Sequence, residues 1–163
     1  QGLGSRDQVK KKKGGLKVKG KGLESLQVWQ RARKLAVKIC REILPLLPGE
    51  EKFALSQQLR RAVQSVPANI AEALGRYHFQ DAIRFCYIAR GSLDETLSHL
   101  LLAYDLSYIP ENLLEDCRKI WREIYRLLNG YIRYLRRNHQ GDISLKVRDE
   151  DRLNEYDLLI TDP

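Results

Sequence analysis

The chain of 163 residues has room for one ordinary domain with tails, and its 43% of hydrophobic residues can supply a core. Charged residues make up 31% and the net charge is +8, which suits a wet surface that attracts anions. No stretch approaches the roughly 20 apolar residues of a transmembrane helix, so no membrane partner is expected. The charge is unevenly placed. Residues 1–25 hold eight basic against two acidic residues, residues 26–138 eighteen against twelve, and residues 139–163 three against seven. The order is therefore basic arm, basic domain, acidic tail.

Residues 1–25 carry Lys10, Lys11, Lys12 and Lys13, further lysines at 17, 19 and 21, and many glycines. So little apolar surface predicts a disordered arm. The first helix is predicted from about Leu26 to Leu47, capped by Ser25. Leu26, Trp29, Ala32, Ala36, Ile39, Cys40 and Ile43 recur at helical spacing, and Pro45 and Pro48-Gly49 mark its end.

The second helix is predicted from Glu50 to Gly75 on the stripe Leu55, Leu59, Ala62, Val66, Ile70 and Ala73. Pro67 lies inside it and predicts a kink, or a restart capped by Ser65. The third helix is predicted from Phe79 to Leu106, with only six charged residues. Phe85, Tyr87 and Ile88 fall outside a single apolar stripe, which implies burial on more than one side and hence self-association. The fourth is predicted from Glu111 to Asn138 and has eleven charged residues. Short links favour an all-α, up-down-up-down antiparallel four-helix bundle over residues 26–138. Residues 139–163 read as an acidic, mostly disordered tail.

Catalytic signatures are missing: the sequence has no GxGxxG, HExxH or GxSxG, and its one GxxxxGK string, Gly15–Lys21, is followed by Gly22 where the phosphate-binding motif needs Ser or Thr. His78, His99 and His139 are scattered and none has a second ligand at i+4, so neither a metal nor any other cofactor is expected. Cys40, Cys86 and Cys117 are odd in number and distant, with no CxxC pair. Each falls among apolar residues and reads as a buried core thiol in a reducing cytoplasm. Ser92, Glu95 and His99 share a helix face, but residues on a single helix rarely form a triad. Gly91 costs about 1 kcal/mol relative to Ala inside a helix and is expected at a close approach.

Two polar surfaces stand out. On helix two, Gln58, Arg61, Ser65, Asn69, Glu72 and Arg76 fall within about 80° of arc. They form either a solvated flank with local Arg–Glu pairing or a polar network at a helix or subunit contact. On helix four, Arg118, Lys119, Arg122, Arg126, Arg133, Arg136 and Arg137 fall within about 100°, opposite Cys117, Ile124, Leu128, Tyr131 and Leu135. Arginine's planar fork suits phosphates, although a solvated outer face is the simpler reading.

The stretches LQVWQRARKLAVKI (26–39), LRRAVQSVPANIAEALGR (59–76) and ARGSLDE (89–95) give the chain a family resemblance. It resembles the four-helix bundle proteins named for intervening sequences within bacterial 23S rRNA genes. The resemblance spans about residues 26–135 and omits both tails. Ala73 stands where the family pattern usually has Gly. The resemblance implies a ring, plausibly a pentamer, akin to accessory proteins of diversity-generating retroelements that engage RNA and a reverse transcriptase. The combined expectation is a non-enzymatic homo-oligomer that binds structured RNA through helix four and the Lys10–Lys13 arm. The alternative is a protein-interaction scaffold for a reverse transcriptase or ribosome-associated factor.

Overall fold

A computed structural model describes residues 22–137, so the expected arm up to residue 21 and the acidic tail lie outside the described residues. Four long helices follow in order: α1 Gln27–Lys38, α2 Leu55–Gly75, α3 Phe79–Asp105 and α4 Glu111–Arg137. The described residues contain no strand. Each helix packs on its neighbours in sequence, and α4 returns to pack on α1. Apolar side chains spaced by three and four residues fill the centre. Leu35, Ile39, Leu59, Ile70, Leu93, Leu100, Ile124 and Leu128 are almost wholly excluded from solvent. Between α3 and α4, Leu93 meets Trp121, Arg90 meets Asn129 and Tyr87 meets Arg136. Between α1 and α4, Arg31 meets Glu123 and Lys38 meets Asp116. In both pairs the partners descend along one helix as they ascend along the other.

Prolines alter the elements in ways the spacing did not foretell. The first helix does not run regularly to Leu47. It passes into a π turn at Ile39–Ile43 and a 3-10 turn at Leu44–Leu46 that contains Pro45. Pro45 has no N–H for the Arg41 carbonyl and its ring crowds that oxygen, so the winding widens just before it. The Leu44 N–H reaches back to the Ile39 carbonyl. Ser25 does not cap α1; its hydroxyl donates to the Gly22 carbonyl at 2.8 Å and Leu26 is the cap residue. Gly49–Phe53 is a separate 3-10 turn, and α2 begins at Leu55. There the Glu51 carboxylate accepts the Leu55 N–H at 3.1 Å and the Tyr108 hydroxyl at 3.2 Å. One side chain thus ties the start of α2 to the α3–α4 turn.

Pro67 neither ends α2 nor restarts it. Ser65, the expected internal cap, turns outward to α3, where its hydroxyl lies 2.9 Å from that of Ser92. Asn69 Nδ2 donates to both the Ser65 carbonyl and hydroxyl, at 2.8 and 2.9 Å. These bonds join the turn around Pro67 to α3; they do not reach the Val63 carbonyl, which is the one Pro67 leaves without its N–H. Gly91 also departs from expectation. A Cβ there would meet nothing within 4 Å, so among the described residues no close approach requires it. Cys86 and Cys117 are buried as expected, whereas Cys40 is only partly covered.

Candidate nucleic-acid interface

The α2 stripe divides. Ser65 and Asn69 are half-buried against α3, while Arg61, Glu72 and Arg76 are exposed. Arg76 pairs with Glu72 one turn back and its guanidinium lies 4.6 Å from the Phe85 ring centre. Ser92 is buried by the seam. Its carbonyl accepts from the Thr96 hydroxyl at 2.8 Å, and its own hydroxyl faces Ser65 rather than His99. His99 Nε2 lies 3.5 Å from Glu95 Oε1. Ser92, Glu95 and His99 therefore form no hydrogen-bonded relay. Among the described residues no group of three or more His, Cys, Asp or Glu could hold a metal ion.

The α4 stripe is the more extended feature. Cys117, Ile124, Leu128 and Leu135 are buried against the core, which turns the opposite arc outward. Lys119, Arg122, Arg126, Arg133 and Arg137 are exposed; Arg118 and Arg136 are half-buried. The seven cations do not behave alike. Arg118 pairs with Glu115, Lys119 lies 4.0 Å from Asp116, and Arg136 donates to the Tyr87 hydroxyl. Among the described residues neither Arg126 nor Arg133 has an ion pair. Lys10, Lys11, Lys12 and Lys13 lie outside the described residues.

The structure collects the middle of this stripe into an open groove of about 590 Å³. Lys119, Arg122, Arg126 and Arg133 supply its charge, and Trp121, Tyr125 and Asn129 its floor. Glu123 also borders it, but Arg31 holds that carboxylate at 2.8 Å. Trp121 is fastened in place: its Nε1 donates to the Leu93 carbonyl at 3.2 Å and its ring stacks on Tyr125 with centres 5.0 Å apart.

Two residues of this site carried no flag in the sequence. Arg90 donates to Asn129 Oδ1 at 3.3 Å, and its guanidinium lies 4.8 Å from the Tyr87 ring and 5.9 Å from the Tyr125 ring. Asn129 is only 8% exposed. The available signal was Arg90's place on the charge-poor helix and Asn129's position inside the basic arc of α4. Asp94 stands one turn beyond Arg90. Burial raises its carboxyl above the usual carboxylate range, and the nearby Arg90 partly opposes that shift. Burial also pushes the Cys86 thiol up to about 12 and the Cys117 thiol up to about 11, so both are poor nucleophiles at neutral pH.

No helix among the described residues is long and apolar enough to cross a membrane. Among curated proteins none matches the chain. A crystal structure of a protein of unknown function, from the S23 ribosomal protein family of Bacteroides thetaiotaomicron, is similar at 31% identity and a TM-score of 0.59. The likeness covers 64% of this chain and 97% of that one. The family described as 23S rRNA-intervening sequence protein matches residues 24–130, which include Arg90, Arg122, Arg126 and Asn129. With that match over most of the bundle, the chain belongs to the 23S rRNA-intervening sequence protein family.

Proposed function

We propose that the chain is a non-enzymatic, self-associating protein that binds structured RNA through the outer face of α4. The observation that carries this reading is the groove along which Arg122, Arg126 and Arg133 are strung, with its bordering carboxylate already engaged by Arg31. Such an array of planar forks suits a run of phosphates, and a family named for rRNA agrees with that chemistry. We read the bundle as up-down-up-down and antiparallel, which the reversed order of contacts supports, and its assembly as a pentameric ring. Ile88, Leu102 and Leu106 on the exposed side of α3 and its end support a contact between copies.

A second reading rests on the same exposed apolar side chains. They would suit docking of a protein such as a reverse transcriptase or a ribosome-associated factor. Salt separates the two, because phosphate contacts weaken steeply as salt rises and apolar docking does not. We expect fluorescence anisotropy to give an RNA affinity that falls linearly with salt on logarithmic axes. No measurable RNA affinity at low salt would leave the protein-docking reading in its place. Sedimentation at micromolar concentration should show an oligomer; a monomer there would remove the self-association.

A further inference from the structure

Arginines on an outer face attract any polyanion, and phosphate contacts by themselves carry no information about the bases. The floor of the α4 groove has a different character. Asn129 lines the groove yet is only 8% exposed. Its Oδ1 accepts from Arg90 Nη1 at 3.3 Å. A guanidinium offers donors only, so this contact fixes the amide with its oxygen toward Arg90 and its Nδ2 turned away. Nδ2 makes no hydrogen bond to another described residue. Arg90 holds its position because its guanidinium is placed against the rings of both Tyr87 and Tyr125. Nδ2 is not sealed in: it stays open to the groove, where it can donate to water or to a ligand that displaces the water.

The geometry points to a nucleotide pocket in which Asn129 Nδ2 donates to an acceptor on the edge of an unpaired RNA base, while Arg122, Arg126 and Arg133 hold the flanking phosphates. This rests on the RNA reading above and narrows it from structured RNA in general to RNA that offers an unpaired nucleotide. In a duplex the acceptors of the pairing edge are occupied by the partner strand and the deep major groove excludes side chains, which leaves only the shallow minor-groove edge. A splayed base has those acceptors to give. The groove's volume of about 590 Å³ lies within the roughly 300–1,000 Å³ of pockets that hold small-molecule-sized groups. Arg122 and Arg133 are separated by eleven positions of α4, about 16 Å along the axis. One phosphate cannot use that span, so the ligand is a chain rather than a free nucleotide.

The test compares a short single-stranded oligoribonucleotide, the same sequence annealed to its complement, and the free nucleoside monophosphates. Wild-type protein should prefer the single strand over the duplex by about five- to tenfold, the worth of one neutral hydrogen bond. Asn129→Ala should abolish that preference and leave duplex affinity in place. Asn129→Asp keeps the shape and the acceptor toward Arg90 while removing the donor, so it should also abolish the preference if alanine disturbs the fold. A preference that survives in a folded Asn129 variant would overturn the pocket while leaving RNA binding intact. Monophosphates binding as tightly as the oligonucleotide would overturn the assignment to a chain. Wild-type protein that binds neither RNA would overturn the RNA reading itself, and the pocket with it.

Discussion

Replacing Arg122, Arg126 and Arg133 together with glutamine removes three charges from the groove while retaining long polar side chains. All three are exposed, so folding stability should change by less than about 0.5 kcal/mol for each. Each solvent-exposed charge contact is worth at most about 1 kcal/mol. Losing three should therefore weaken RNA binding by up to about 3 kcal/mol, or at most roughly a hundredfold, at low salt. The salt slope supplies an independent number. A single strand releases counterions with a slope near −0.7 for each phosphate contact, so three lost contacts should flatten it by about 2. Fluorescence anisotropy across a salt series measures both quantities. A control variant with Lys34, Arg41 and Lys52 changed to glutamine carries the same net charge but spares the groove. If the control loses as much affinity and slope as the groove variant, net charge rather than α4 governs binding and the site is wrongly placed.

Trp121→Ala should destabilise the bundle by about 2–4 kcal/mol, below the value for a fully buried indole because the ring is only half-covered at the groove edge. Urea denaturation giving less than about 1 kcal/mol would show that Trp121 is a surface platform and not part of the packing. A thiol reagent at mildly alkaline pH should label Cys40 first in folded protein, since Cys86 and Cys117 are buried with pKa values pushed up to about 12 and 11. Equal labelling of all three thiols would contradict that packing. Asp94 should titrate above 3.8 by carboxyl carbon NMR. Its raised folded value favours the protonated form, so its stabilising contribution is full below 3.8 and is lost as pH rises through the folded value. Asp94→Asn should remove that dependence, and a midpoint at or below 3.8 would refute the desolvation.

The helical class was legible because apolar residues recur every three or four positions in all four segments, and that period survives almost any tertiary detail. The α4 arc was legible for the same reason. The ends of helices were less so, because a proline specifies which backbone bond is lost but not how the chain adjusts. The winding widens into a π turn before Pro45, whereas α2 runs on through Pro67. Gly91 shows the limit of a propensity argument: the cost of a helical glycine is visible in sequence, but the side from which anything approaches is not. Arg90 and Asn129 escaped notice because they are 39 residues apart and become a pair only when α3 lies against α4.

The basic residues of α4 follow a spacing that works against the helix itself. Arg118–Arg122, Arg122–Arg126 and Arg133–Arg137 are four apart, and Lys119–Arg122 and Arg133–Arg136 are three apart. Each like-charge pair of this kind costs roughly 0.2–0.5 kcal/mol at low salt. Glu115 and Asp116 offset the repulsion around Arg118 and Lys119, and the negative end of the helix dipole favours Arg136 and Arg137. Arg122 and Arg126 sit mid-helix, beyond the reach of that dipole. Their repulsion is a standing cost of about 0.2–0.5 kcal/mol that an anionic partner would relieve. Salt acts on this cost in the opposite sense to its action on ion pairs. Raising ionic strength from about 0.01 to 0.15 M shortens the screening distance from about 30 to 8 Å. That screens the α4 repulsion but also weakens exposed pairs such as Lys38–Glu42 and Arg76–Glu72. The repulsion should win, because residues 26–138 carry eighteen basic against twelve acidic residues. Added sodium chloride should therefore raise the melting temperature by about two degrees, which corresponds to about 0.5 kcal/mol for a domain of this size. The groove variant lacking Arg122, Arg126 and Arg133 should lose most of that rise. A melting temperature that falls with salt would mean that the favourable pairs dominate, and that α4 pays nothing to hold its arginines together.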